Sequence, residues 1–456
     1  MRELRLVGAA GAVAAMLGMT AVPAAAQSLI DALAAAYNTN PDLGAQRARL
    51  RATDELVAQA LSNWRPQVRL QGDIGKQYFD NSVRPAPVTL EPRSATIQIV
   101  QPLYRGGRTV AQTRQANEEV LAERATLVQR EQQVLLDAIS AYSNLVRDDV
   151  VVKLRASNVN VLRQQLTATE ARFRVGELTR TDVSQAESRL AGAQADLIRS
   201  EADLNISRAT FRKIIGLAPG ALVDVKAFGT LPKTEEEVIA QAGDANPAVR
   251  AAFHRELSAR HQVDLVFGEL LPTVQIVGTA RRAYDVSFEK DKQDSVAVIG
   301  QVSIPLYQGG AEYSRVRQAK QIVGQRMLEL DSTRRLTVEA AVRAWRIWES
   351  SKARTDSIAA QVRAAEIALQ GVREEAQVGS RTVLDVLNQE QEVLNAKVEL
   401  VRAQNELIVA HFGILAVIGR LTARELKLPV EYYDEQAYYN ANSGRWIGLG
   451  DSLPSR

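Results

Sequence analysis

A seven-residue apolar repeat runs down two adjacent segments and then recurs farther along the chain, which leaves few folds open to it. Ala138, Leu145, Val152, Val159, Leu166 and Phe173 stand seven positions apart. Beyond Val175-Gly176 the period resumes with Val183, Leu190, Leu197, Leu204 and Phe211. A second set on this returning segment, Ala186, Ala193, Ser200, Ser207 and Ile214, is mostly small. A 3.5-residue period holds one seam of a helix against a partner, so Ala138 to Ile214 reads as a coiled-coil hairpin. Small residues beside large ones let the two backbones approach closely.

The connecting turn is Val175-Gly176-Glu177-Leu178-Thr179-Arg180-Thr181-Asp182-Val183. Glycine takes the left-handed conformation that closes a helix C-terminus. Thr179, followed three residues on by Asp182, reads as a capping box for the returning helix. The turn comes back 203 residues later as Val378-Gly379-Ser380-Arg381-Thr382-Val383-Leu384-Asp385-Val386. That offset is a multiple of seven, so the register carries through to Val386, Val393, Leu400, Leu407 and Ile414. The chain is a tandem duplication.

Ahead of each hairpin the order is also shared. A short amphipathic helix from Ser28 to Tyr37 stops at Asn40-Pro41, and Pro41 suits the first turn of a helix running to about Asn63. Asn246-Pro247 repeats the pair 206 residues on, and Pro66 and Pro272 end helical character in the two copies. Behind those prolines the period falls to two. Val68, Leu70, Gly72 and Ile74 share a face in one strand, and Ala95, Ile97 and Ile99 in its partner. The second copy offers Val274, Ile276, Gly278 and Ala280, then Val296, Val298, Gly300, Val302 and Ile304. These are strands with one apolar and one mostly polar face, about ten residues long, as a tilted membrane strand requires. Tyr78, Phe79, Tyr284 and Phe288 near one end, and Tyr104 and Tyr307 near the other, suit interfacial aromatic girdles. The same alternation packs inward in a water-soluble sandwich, but an export signal at the N-terminus favours the membrane.

Four strands cannot close a barrel, and an open edge cannot sit in lipid, so membrane strands here require several chains to share one wall. The loops within the strand pairs, Asp80 to Pro92 and Asp285 to Asp294, differ in length and belong on an exposed surface. Pro102-Leu103-Tyr104-Arg105-Gly106-Gly107 and Pro305-Leu306-Tyr307-Gln308-Gly309-Gly310 then lead into long helices. No Gly-Lys-Ser/Thr follows either glycine pair, so both read as strand-to-helix bends and not phosphate loops. From Thr109 to Arg174 there is neither proline nor glycine, enough for a helix of about 100 Å. The return helix and the helix before the first strand, stacked end to end, nearly match it in length.

Composition removes whole classes of function. With 56 basic against 53 acidic residues the formal charge is +3, and no basic tract of the kind that holds nucleic acid stands out. Cysteine is absent, which excludes disulfides, thiolate metal sites and a lipid-anchored N-terminal cysteine. His254, His261 and His411 lack the spacing of a helical zinc motif, and no nucleophile elbow or nucleotide loop occurs, so an enzyme, a cofactor and a metal are not expected. Arg2 and Arg5, the apolar Leu6 to Met19, and Ala24-Ala25-Ala26 read as a cleaved secretory signal. No later stretch approaches the ~20 apolar residues of a membrane helix. The expected division is a signal peptide over 1–26, a first repeat over 27–217, a linker over 218–234, a second repeat over 235–421, and a tail over 422–456 packed outside the helices.

From Ser28 to about Leu428 the sequence resembles the TolC-type outer-membrane efflux and secretion channels. The likeness rests on the duplicated layout, the two Pro-Leu-Tyr segments with their glycine pairs, and the two Val-Gly-x-x-Thr-x-x-Asp-Val turns. It implies a fold that is mainly α with membrane β: a homotrimer whose four strands per chain make a twelve-stranded barrel above an α-helical periplasmic tunnel. It also implies partners, namely outer-membrane lipid, a periplasmic adaptor (membrane fusion) protein and an inner-membrane ABC or RND transporter. Asp385 sits where the family places an acidic ring at the narrow entrance, and Asn388 holds the next turn, where some members have a second aspartate. Arg381 matches an arginine that bonds to residues at Thr181 and Asp182 to hold the entrance closed, and Ala376 stands where some members carry a tyrosine. Capping alone would also account for Asp182 and Asp385, and a solvated surface arginine for Arg381. A periplasmic adaptor or a structural coiled coil is the competing reading, though the duplication and four amphipathic strands argue against it.

Overall fold

The computed structural model describes residues 27–80 and 87–450. The signal-like segment, the tip of the proline-rich loop and the last six residues lie outside them. Two helices, α1 (Leu29–Thr39) and α2 (Pro41–Ser62), lead into β1 (Gln67–Ile74). A small hairpin, β2 (Gln77–Phe79) and β3 (Val88–Leu90), precedes β4 (Arg93–Arg105). Then come α3 (Arg108–Arg174) and α4 (Arg180–Ile215). The second copy has α5 (Glu235–Ala245), α6 (Pro247–Phe267), β5 (Thr273–Tyr284), β6 (Lys292–Ser303), α7 (Ala311–Gln377) and α8 (Val383–Val417), and α9 (Ala437–Asn442) lies in the tail. The long helices α3 and α7 are each 67 residues, about 100 Å.

The sheet order is β1-β4-β5-β6, antiparallel throughout. Its register builds apolar rows across all four strands: Leu70, Ile97, Ala280 and Val296 stand side by side, as do Val68, Ile99, Gly278 and Val298. The large members of these rows are exposed, so nothing within the described residues covers this face. Within the one chain the sheet is open at β1 and β6. The helices follow the same order, with α2, α3, α6 and α7 side by side below the sheet and α4, α3, α8 and α7 toward the far end.

Two asparagines fix how the shorter helices stack. Asn40 Oδ1 accepts from the Asp42 amide at the start of α2, while its Nδ2 donates to the Ile214 carbonyl at the end of α4. Asn246 does the same in the second copy, capping α6 through Ala248 and reaching the Val417 carbonyl of α8. Each side chain thus satisfies orphaned backbone groups on both sides of a helix-to-helix joint. The main core sits at this height, around Tyr142, Phe211, Phe412, Leu135 and Ile139. The segment between the copies is pinned there, with Tyr142 Oη placed 2.6 Å from the Gln27 carbonyl and accepting from the Val223 amide. Asn405 Nδ2 donates to Asn144 Oδ1 at 2.9 Å, tying the two hairpins together.

Three expectations need correction. Strand β4 does not stop before Pro102 but runs to Arg105, accommodating the proline at a register shift between Pro102 and Tyr104. A bulge is where a residue without an amide hydrogen fits a sheet interior. The Asp80–Pro92 stretch is not all loop, since its far side pairs with Gln77–Phe79 as a separate two-stranded sheet. One 18-residue window of α8 is apolar enough to cross a membrane by composition. Its Phe412, Ile414 and Leu415 are instead buried in the protein core.

The tail crosses α2 and α3, with Tyr438 Oη donating to Glu55 and Tyr439 Oη to Asn117. Beneath it Asp54 is only 3% exposed, and neither carboxylate oxygen has a hydrogen-bond partner. Burial pushes its pKa from 3.8 up to about 6, with the nearby Arg124 opposing the shift. A folded-state pKa above the unfolded value favours the folded state at low pH. That contribution fades as pH rises from about 4 through about 6. Asp54→Asn is therefore expected to raise the melting temperature at pH 8 and to leave it nearly unchanged at pH 4, read by circular dichroism at the two pH values.

Candidate functional site: the two hairpin tips

Both turns close their long helices with the same backbone geometry. Gly176 is left-handed at φ +81°, its amide donating to the Phe173 carbonyl and the Glu177 amide to the Arg172 carbonyl. Gly379, at φ +80°, donates to Ala376, and Ser380 to Glu375. These paired bonds form a Schellman motif, with Val175 and Val378 as the last residues before the glycine. The return helices begin with matching capping boxes. Asp182 Oδ2 accepts from the Thr179 amide and hydroxyl at 2.9 and 2.7 Å, and Asp385 Oδ2 from those of Thr382 at 3.0 and 2.8 Å. The bonds from Thr179 hold the Asp182 carboxyl below its usual range. Thr382 does the same for Asp385, and the Arg381 charge adds to it.

Arg381 is placed differently from the expectation. Its Nε donates to Glu375 Oε2 at 2.8 Å, so within one chain it meets its own turn and not Thr181 or Asp182. Thr181 lies exposed in the first turn of α4. Asn388 accepts from Arg189 Nη2 at 2.7 Å, which links the two hairpins near their tips. Neither Arg189 nor Glu375 was singled out by the sequence, because each is defined by which helix approaches it. The other expected positions lie at the opposite end of the long helices. Gly106, Gly107, Gly309 and Gly310 are all left-handed, and Gly107 and Gly310 are the residues immediately before α3 and α7. Pro305 lies just past the last residue of β6, so of the two prolines it alone stands at a strand end.

Nothing at the tips resembles a catalytic centre. Among the described residues no cluster of His, Asp or Glu is arranged to hold a metal ion. Two of the histidines make polar contacts between elements: His254 Nδ1 faces Glu118 at 2.8 Å, and His411 Nε2 lies 3.1 Å from the Phe228 carbonyl, its pKa lowered by burial. What the tips offer is a pair of rigid turns bearing carboxylates and arginines at the end of long apolar-seamed helices.

Comparison with known proteins agrees with this architecture. The family described as Outer membrane efflux protein matches residues 32–217 and 238–420, one segment in each copy of the duplication. The chain is 33% identical over 432 residues to the outer membrane efflux protein BepC of Brucella suis biovar 1, covering 94% of each. It is 27% identical to the outer membrane protein TolC of Vibrio cholerae, covering 91% of this chain and 95% of that one. Among solved structures, the outer-membrane channel OprN superposes with a TM-score of 0.76 at 22% identity, over 86% of this chain and 89% of that one. A mainly helical chain with four amphipathic strands, matched in both halves by one family, belongs to the outer membrane efflux proteins and is an outer-membrane channel, not an enzyme.

Proposed function

We propose that three copies of this chain close into a twelve-stranded barrel continuous with an α-helical periplasmic tunnel. The observation that carries this reading is the open sheet: its exposed apolar face suits lipid, but its unpaired β1 and β6 edges have no place there unless other copies complete the wall. Two copies would supply eight strands, the smallest closed membrane barrel, and three supply twelve. The 67-residue helices and their partners then enclose the periplasmic passage. The two repeats, 27–217 and 235–421, contribute equivalent sectors of the wall around the 218–234 linker, the described part of the tail, 422–450, straps the outside, and residues 1–26 direct export.

In this assembly the tips form the inner entrance. An inner-membrane ABC or RND transporter delivers cargo there, and a periplasmic adaptor bridges the two; the names of the relatives, efflux and secretion proteins among them, support that class of partner. Asp385 lines the entrance, and Arg381 reaches Thr181 and Asp182 of the neighbouring copy. Its pairing with Glu375 does not lock it away, because both groups are half-exposed and solvent screens such a contact. Arg381→Ser is expected to loosen the closed entrance and raise single-channel conductance in planar bilayers several-fold. A conductance equal to wild type would remove the latch role. A purified chain that stays a lone protomer and forms no pore would remove the channel assembly itself.

A further inference from the structure

We propose that residues 445–450 form a clasp between subunits, seating Trp446 and Ile447 of one copy on the Leu306–Tyr307 bend of the next. The inference rests on the ring closure proposed above and adds to it a segment that neither the strands nor the long helices contain.

The first observation is a built turn at the foot of β1. Arg65, two residues before that strand, donates from Nη1 to the Arg445 carbonyl at 2.6 Å, and its guanidinium lies 5.0 Å from the centre of the Trp446 ring. Arg445 in turn folds the segment back on itself, donating to the carbonyls of Ile447 and Gly450. Gly448 has a φ of +125°, and a Cβ there would meet the Arg445 guanidinium at 2.6 Å. The conformation is one that only glycine adopts easily. These polar contacts and a required glycine hold a turn whose apolar side chains face outward: Trp446 is 67% and Ile447 90% exposed.

The second observation stands on the other free edge. Beyond the end of β6, Leu306 is 88% and Tyr307 78% exposed, with Ile304 exposed just above them. The duplicate bend is covered much better: Leu103 and Tyr104 are about half-exposed beside β5. Leu306 and Tyr307 occupy the matching place in the second copy but have no strand beside them among the described residues.

Geometry brings the two patches together. The start of β1 and the end of β6 are both at the helix end of the sheet, since Gln67 pairs with Val100 and Ser303 with Thr273. When β1 of one copy pairs antiparallel with β6 of the next, their backbones lie about 4.8 Å apart. The foot carrying Trp64, Arg65 and Trp446 then abuts the foot carrying Ile304, Leu306 and Tyr307. Both sides lose large apolar surface from water at that contact, and Trp and Tyr are well suited to it.

The chain has no cysteine, which makes the test clean. Trp446→Cys and Leu306→Cys are combined in one full-length chain and assembled in outer membranes. They are then treated with copper–phenanthroline or with a short bis-maleimide, which tolerates geometry a disulfide does not. The expected result is covalent dimers and trimers on a denaturing gel, absent from either single variant; Ile447→Cys with Leu306→Cys serves as a second pair. Native-gel trimers that give no covalent product with either pair overturn the clasp and leave the channel reading standing. A fluorophore attached to the single Trp446→Cys variant and quenched by brominated phospholipid would also overturn it, placing the turn in lipid. Loss of the trimer from the unmodified protein would instead strike at the ring closure.

Discussion

Replacing Gly106 with alanine is expected to cost most of the correctly folded protein in the outer membrane, while alanine at Gly309 leaves the larger part. Both residues are left-handed, at φ +64° and +71°, so each variant carries the ~1–2 kcal/mol that an L side chain costs there. Their surroundings differ. A Cβ on Gly106 would stand 2.2 Å from the Gly268 carbonyl oxygen and 3.0 Å from Leu271 Cβ, whereas among the described residues nothing lies within 4 Å of one on Gly309. Gly268 is equally confined, since its own Cβ would meet Arg108 Cγ and the Gly106 carbonyl at 2.5 Å. The backbone of the β4-to-α3 bend is thus in contact with the end of α6, and the bend cannot retreat without moving two helices. The expected effect of Gly106→Ala exceeds that of Gly309→Ala by about 1–3 kcal/mol, the usual cost of forcing a methyl group into occupied space. Heat-modifiable trimer yield and melting temperature for the two variants, with Gly268→Ala as a third, measure it. Equal losses at Gly106 and Gly309 would mean that the contact with Gly268 has no energetic weight.

Asp385→Ala is expected to reduce the preference of the channel for cations, and block by multivalent cations, by several-fold. In the proposed trimer three carboxylates would gather at a narrow mouth and raise the local cation concentration through the focused potential, and removing them would remove that field. The capping role needs its own control. Asp385→Asn keeps a side-chain oxygen for the Thr382 amide but carries no charge. If charge is what matters, both variants shift the reversal potential alike; if the residue only caps α8, neither does. The Thr382 bonds and the Arg381 charge hold this carboxyl below its ordinary range within one chain, so it protonates at lower pH than a free aspartate. Cation preference in wild type should accordingly decline only as pH falls below the ordinary carboxylate range. Protonation at lower pH also withdraws the stabilisation that the depressed pKa gives the folded tip, so entrance and selectivity weaken together.

Much of this architecture was legible because it is written in periods and punctuation. The heptads of Ala138 to Phe173 and Val183 to Phe211 placed the hairpin, Gly176 and Gly379 placed its turns, and Thr-x-x-Asp placed both caps. The Asn-Pro pairs marked helix joints, although nothing local revealed that Asn40 and Asn246 also reach the carbonyls of helices more than 170 residues away. Elements of three residues, such as Gln77–Phe79 and Val88–Leu90, carry too little pattern to register. Pro102 suggested a strand end because a proline usually makes one, and the bulge that absorbs it is set by the partner strand. At the tips the limit is of the same kind. The turn chemistry is local and was readable, whereas the approach of Arg189 to Asn388 depends on how two hairpins lean together.

The asparagine joints set the one height at which the short helices change along an unbroken partner. Here α2 over α4, and α6 over α8, are each interrupted once, with one amide spanning each gap at the height where the core is thickest. Because α3 and α7 run unbroken past both gaps, each joint changes only which short helix they pack against, and the asparagine amide keeps the two short helices in line there.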